Sequence, residues 1–313
     1  QKLKYKQIKL KKVIITGALG QNGKILSKIY SKKNYQVLGF VKEKQKSKIK
    51  GIKYFNNNLL NKKKIEKHLY QIKPNIILHL ASRNDSYSKR LKKDNYKINY
   101  IYNLKITKNL VDAIIKTGLK SKLIFAGSSV MFSNQKKNIV SEKDKFGSKE
   151  FYGKYKIDAH NYIHSKTNKK FKATTVILFN HDSVFRNKKF LIPRLVEAVK
   201  KSRIKFIKKI LIENINGDFS HAEDICKGIY KVSISNKDFK KIILSSGKRF
   251  YLNSLLKYLI KKNKLDLKVN KYQIKNKSKN YKFLGSNSLA KKLINYKPQK
   301  NLMEAAKDIF NIK

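Results

Sequence analysis

Three glycines stand three residues apart in VIITGALGQNGKIL: Gly17, Gly20 and Gly23, directly after a run of β-branched residues and at the start of a helical pattern. Glycine lets the backbone come close to an anion that a Cβ would push away. A helix opening behind such a turn points free N–H groups at that anion. The chemistry to expect is diphosphate binding, and Gln21 and Asn22, which open the helix, belong to the same site. A glycine trio carries this meaning only between a strand and a helix, so the elements around it must be read next.

Short apolar strands are expected at 11–16, 35–41, 75–81, 122–128 and 173–179, with helices between them at 22–33, 61–72, 94–117 and 152–168. This is the βαβ rhythm of a parallel, doubly wound sheet covered on both faces. Right-handed crossovers bring the strand ends to one edge of the sheet, where ligands bind. Beyond residue 183 the pattern becomes irregular. It predicts helices at 190–201 and 221–235, a strand at 241–246 and two helices toward the end, a smaller unit capping the strand edge.

Composition narrows the classes. The 313 residues carry 76 Lys and Arg against 19 Asp and Glu, a formal charge of +57, which invites a nucleic-acid reading. Only Arg83, Arg90, Arg186, Arg194, Arg203 and Arg249 are arginines, although Arg is the better bidentate reader of phosphates and bases. The lysines are spread over nearly every expected element, so the excess reads as a chain-wide bias and nucleic acid as an unlikely partner. Such a field still attracts small anions, nucleotide diphosphates included. No stretch approaches the roughly 18–20 uncharged apolar residues of a membrane span. With no leader pattern after Gln1 and a lone Cys226, the expectation is a cytoplasmic protein with a buried structural thiol. No metal site is expected.

The spacing G-x-x-G-x-x-G with Thr16 in front resembles the extended short-chain dehydrogenase/reductase family, within its nucleotide-sugar epimerase/dehydratase group. ILFNHDS, GDFSHAEDICKGI and FLGSNSLAKKLINYKP extend the likeness toward the GDP-mannose 4,6-dehydratase branch. The resemblance implies an α/β fold: a Rossmann-type doubly wound parallel sheet with a smaller C-terminal α/β substrate domain. The cofactor domain would span 1–182 with part of 214–246; 183–213 and 247–313 would form the substrate-binding domain. A homo-oligomer is the family expectation.

It also implies site residues. The family carries a Tyr-x-x-x-Lys pair on one helix face, where an ammonium lowers the pKa of a phenol that otherwise titrates near 10. That spacing occurs at Tyr5/Lys9, Tyr152/Lys156, Tyr162/Lys166, Tyr258/Lys262 and Tyr296/Lys300, so position must choose. Tyr152 and Lys156 open the helix after IFAGSSVMF, where the family places its pair, and Ser128 becomes the hydroxyl that holds the reacting sugar oxygen, with Ser129 beside it. Leu80, Ala81 and Ser82 match the segment lining the cofactor; Asn99 matches the helix asparagine that supports the catalytic lysine. Asn180 would contact the nucleotide sugar and His181 the cofactor. Arg186 and Arg194 fall near the diphosphate or at a subunit contact. At the end of the second strand, Phe40 and Val41 replace the acid that selects NAD, and Lys42 and Lys44 suit a 2′-phosphate, so NADP is expected, with NAD as the alternative.

Two departures matter. Dehydratases of this type have a glutamate base two residues after the Ser/Thr, and here that position is Val130. Valine moves no proton, and losing a general base ordinarily costs roughly 10²–10⁴ in rate. Hydride transfer at carbon 4 of a nucleotide-diphosphate hexose survives, so 4-keto reduction and 4-epimerisation stand beside dehydration, as does a silent cofactor-binding protein. Second, KNKSKNYKFLGS (275–286) is shorter than the family's usual arginine-bearing loop and contains no arginine.

Overall fold

The computed structural model describes residues 10–42, 49, 51–84, 93–267 and 283–312. Tyr5, Lys9, Lys44, Arg90 and most of 275–286 lie outside them. Strands β1 (Lys12–Thr16), β2 (Gln36–Val41), β3 (Ile52–Asn56), β4 (Ile76–His79), β5 (Lys122–Ser128), β7 (Lys172–Leu178) and β10 (Lys241–Leu244) form one parallel sheet in the order β10-β7-β5-β4-β1-β2-β3. The order reverses at β1, which pairs with β2 on one side and β4 on the other. A crevice therefore opens at the carboxyl ends of β1 and β4, the place where doubly wound sheets bind ligands.

Alternation along the strands divides the core. Val13 and Ile15 of β1 pack with Ile25, Leu26 and Tyr30 of α1 (Gln21–Lys32) and Ile225, Ile229 and Val232 of α7 (Ala222–Ile234). Ile14 turns the other way, toward α2 (Lys62–Ile72), α3 (Lys93–Lys116) and α4 (Phe151–Ser165). A period of two thus feeds both faces of a buried sheet. A second core joins α5 (Leu191–Lys200), α6 (Ile204–Glu213), α8 (Leu252–Lys262) and α10 (Leu302–Asn311). Between the two lies a small sheet in the order β11-β9-β8, made of β8 (Asn180–Asp182), β9 (Asn216–His221) and β11 (Arg249–Tyr251).

Several elements differ from the sequence expectation. β3 and α6 are additional, and α9 (Ser288–Ile294) makes three helices toward the end rather than two. Ala290 and Tyr296, assigned to the substrate unit, pack in the first core beside α7. Gly228 makes room there: a Cβ would sit 3.0 Å from the Tyr296 ring. Cys226 is fully buried, as expected of a structural thiol. Among the described residues no helix is long and apolar enough to cross a membrane, and no cluster of His, Cys, Asp and Glu could hold a metal.

Candidate active site

The turn after β1 needs its glycines for separate reasons. Gly17 has φ +69°, a region that favours glycine, and a Cβ there would lie 3.0 Å from the Ala81 backbone nitrogen. Gly23 lies under the turn, where a Cβ would be 2.5 Å from the Gly17 carbonyl oxygen and 2.6 Å from Ala18. The Gly20 N-cap of α1 contributes no side-chain cap, and the first turn holds no acid, so the first N–H groups stay available to an anion.

The side chains that open α1 are tied to the strand ends. Gln21 Nε2 donates to the His181 carbonyl at 3.2 Å and Ser183 Oγ donates to Gln21 Oε1 at 3.1 Å. His181 Nδ1 donates to the Phe179 carbonyl at 2.6 Å, leaving Nε2 to accept from Asn22 Nδ2 at 2.9 Å. Burial, then Arg186, lowers the His181 pKa to about 4, so the ring is neutral near pH 7.

At the β4 end, Thr16 Oγ1 accepts the N–H groups of Leu80 and Ala81, both at 3.1 Å. Asn103 of α3 grips Arg83, two residues on, accepting from Arg83 N at 2.8 Å and donating to Arg83 O at 2.9 Å. The asparagine buried at this edge is therefore Asn103, whereas Asn99, one helical turn earlier, is only half-buried. Asn103 fixes the loop after β4.

Tyr152 and Lys156 share a face of α4. Lys156 is buried, donates from Nζ to the Ala126 carbonyl at 2.6 Å and sits over the Tyr152 ring 5.4 Å from its centroid. Burial lowers its pKa to about 7. Burial raises the Tyr152 pKa, opposed by hydrogen bonding from Ser82, the charge of Arg186 and hydrogen bonding from Asn84. The Tyr152 ring and the Lys156 ammonium thus meet on one helix face, with the ammonium held by a carbonyl in this state. Asn84 had no signal in the sequence beyond its place two residues after Ser82.

Ser128 ends β5 half-buried, its hydroxyl without a hydrogen-bond partner among the described residues; Ser129 and Val130 continue into a short 3-10 turn. Asn180 is exposed at the start of β8. Arg186 pairs with Asp182 through Nε at 3.1 Å and stacks 3.6 Å from the Phe190 centroid. Arg194 lies exposed on α5 against Phe206 and does not join this group. At the opposite end of the crevice Phe40 and Val41 are buried and Lys42 is exposed.

Asn57, just past β3, is a residue the sequence reading missed. It is buried, its Nδ2 lies 2.9 Å from His68 Nδ1, and its Oδ1 has no partner. The uncapped α1 and the glycine cradle, with an orphan buried acceptor at the same sheet edge, fit a dinucleotide. The signal of Asn57 was positional only: an amide just past a strand at the ligand edge.

Residues 13–243 match the model of the NAD dependent epimerase/dehydratase family. The chain belongs to that family. This family member is 25% identical over 245 residues to GDP-mannose 4,6 dehydratase 1 of Arabidopsis thaliana, a match covering 69% of this chain and 65% of that relative. The chain thus matches less than two thirds of that relative's length. Its fold is also that of UDP-glucose 4-epimerase from Thermotoga maritima, solved with UDP-glucose (TM-score 0.78, 16% identity, 96% of this chain and 97% of that one). UDP-glucuronic acid 4-epimerase from Bacillus cereus, solved with NAD, gives a TM-score of 0.74 at 16% identity over 96% and 97% of the two chains.

Proposed function

We propose that the chain is an NAD(P)-dependent enzyme acting at carbon 4 of a nucleotide-diphosphate hexose, by epimerisation or 4-keto reduction rather than 4,6-elimination. The observation that carries this reading is Val130 itself, which follows Ser128 and Ser129 in the short 3-10 turn after β5 where a dehydratase would carry its carboxylate. The position of a dehydratase base is filled by Val130. Elimination would lack its proton acceptor, while exchange of the 4-oxygen proton needs only the phenol.

A bound nicotinamide would accept or return the hydride of carbon 4. The chain's own residues supply the rest. Tyr152 takes the proton from the 4-hydroxyl and gives it back, the free Ser128 hydroxyl hydrogen-bonds the 4-oxygen, and Lys156 turns from Ala126 to the ribose hydroxyls beside Tyr152. The α1 N-terminus takes the cofactor diphosphate, with Leu80, Ala81 and Ser82 along its path, and Lys42 favours NADP over NAD. Asn180, with Ser129 on the same edge, faces the sugar nucleotide, and the core of α5, α6, α8 and α10 carries the substrate lobe. The dehydratase relative favours a GDP-linked sugar.

The test is incubation with GDP-, UDP-, CDP- and dTDP-hexoses and their 4-keto derivatives, with either cofactor, followed by mass spectrometry and NMR. An epimer of unchanged mass or a reduced ketone supports the reading. Loss of water from the hexose overturns it in favour of dehydration, and no turnover across the panel leaves a silent cofactor-binding protein.

A further inference from the structure

We propose that Gly153 is a positioning residue for the reaction. Its bare Cα is the seat for Ser148, and that fit sets how closely the turn carrying Ser128 approaches Tyr152. The inference rests on the assignment of Ser128 and Tyr152 to the substrate 4-oxygen. Gly153 follows Tyr152 directly and is buried on α4. A Cβ there would overlap Ser148 Oγ, come within 2.5 Å of Ser148 Cβ and lie 3.0 Å from the Val130 carbonyl oxygen. Val130 belongs to the 3-10 turn Ser129–Phe132, which Ser128 opens. The turn, the segment before α4 and α4 itself thus meet at one residue that has no side chain.

Ser148 cannot step aside to admit a methyl. Its hydroxyl oxygen accepts from Ser133 Oγ at 2.9 Å and from the Glu150 N–H at 3.3 Å. The residue before it is tied to the same turn by backbone in both directions: Gly147 N donates to the Met131 carbonyl at 2.8 Å, and Asn134 N donates to the Gly147 carbonyl at 3.0 Å. Phe146 packs against Phe132 of the turn and His160 of α4, with ring centroids 5.0 and 5.1 Å away. One helical turn beyond Tyr152, Lys156 Nζ holds α4 to the Ala126 carbonyl of β5 at 2.6 Å. Tyr152 therefore lies between two fixed contacts with the strand and turn that present Ser128. A methyl at 153 must push one of them away, because a close-packed interior passes such strain on rather than absorbing it. Misplacing reacting groups by about 1 Å can cost about 10² in rate.

The test reads geometry and turnover separately. Crystal structures of the unaltered protein, Gly153→Ala, Ser148→Gly and the double variant give the separation of Ser128 Oγ and Tyr152 Oη in each. In Gly153→Ala it widens by about 0.5 Å or more, the tolerance of a working pair. In the double variant, which lacks the side chain the new methyl would meet, it returns to that of Ser148→Gly. With turnover in hand, kcat of Gly153→Ala falls by about 10²-fold against a much smaller change in KM, and the double variant recovers to the level of Ser148→Gly. A purely structural role instead lowers the unfolding midpoint of Gly153→Ala and leaves kcat where it was. An unmoved separation or an unchanged kcat in Gly153→Ala overturns the proposal, as does a separation that the double variant fails to restore. If Gly153→Ala does not fold, a folded double variant with the spacing of Ser148→Gly upholds the seat and an unfolded one overturns it. Restored spacing in a protein that turns over no sugar nucleotide upholds the seat and rejects only the enzymatic reading.

Discussion

Thr16 Oγ1 lies 2.9 Å from His79 Nδ1, and the two residues end neighbouring strands. Because Thr16 already accepts from Leu80 and Ala81, its single proton goes to Nδ1, so His79 carries its own on Nε2 and donates to Thr107 at 2.9 Å. Thr107 in turn donates to the Asn103 carbonyl at 2.9 Å. One directed chain of hydrogen bonds joins the strand before the glycine turn to the helix that fixes Arg83. Thr16→Val removes its first member and leaves two half-buried N–H groups without their acceptor, a loss of about 1–3 kcal/mol in denaturant unfolding. Thr16→Ser restores most of it. Equal stability of the Val and Ser variants would show that the chain contributes nothing.

Replacing Gly23 by alanine should cost cofactor binding far more than replacing Gly20. The new methyl at 23 meets backbone at 2.5 Å, which cannot give way, whereas at 20 its nearest neighbour is at 3.3 Å. Calorimetry with NAD and NADP should show at least about tenfold weaker binding for Gly23→Ala, the equivalent of 1.4 kcal/mol. Comparable affinities for the two variants would remove the turn from the cofactor site.

His160 gives a pH-dependence of known sign. Burial, then His164, Lys241 and Lys240, lowers its pKa to about 3 against an ordinary 6.5. The unfolded chain therefore binds the proton first. Stability from the neutral ring is complete above pH 6.5 and is lost as pH falls toward 3, by at most about 1.4 kcal/mol per unit. His160→Gln should flatten the urea midpoint against pH between 6.5 and 4. Parallel curves for the two proteins would mean that the ring is charged inside the fold.

Cofactor preference should follow Lys42. Lys42→Glu should weaken NADP several-fold more than NAD, with the difference shrinking as salt rises, because the group is exposed and screened. Equal losses for both cofactors would place Lys42 away from the 2′-phosphate.

The buried strands were legible because each is a short apolar run flanked by polar turns. β3 was not: its five residues are only half-buried or exposed, the signature of a sheet edge, and no apolar run marks it. β8 escaped for the opposite reason. Asn180, His181 and Asp182 are polar, and they form a strand only because β9 is there to pair with. At the site, the glycine turn and the Tyr152/Lys156 spacing could be read because they are local. Asn103 could not be told from Asn99, since both lie on one helix and only packing decides which faces β4. The grip of Asn103 on Arg83 joins residues twenty apart in the chain, and no local pattern announces such a meeting.

Lys156 sits in an apolar enclosure formed with Phe125, Tyr152 and Tyr155, where burial lowers its pKa to about 7. The uncharged amine is thus far more accessible near neutral pH than for an exposed lysine. A ribose that offers it oxygen acceptors favours the ammonium, so loading the dinucleotide draws protons from the buffer. The heat of that binding should therefore vary with the ionisation enthalpy of the buffer chosen, and the association should weaken as the medium is made alkaline.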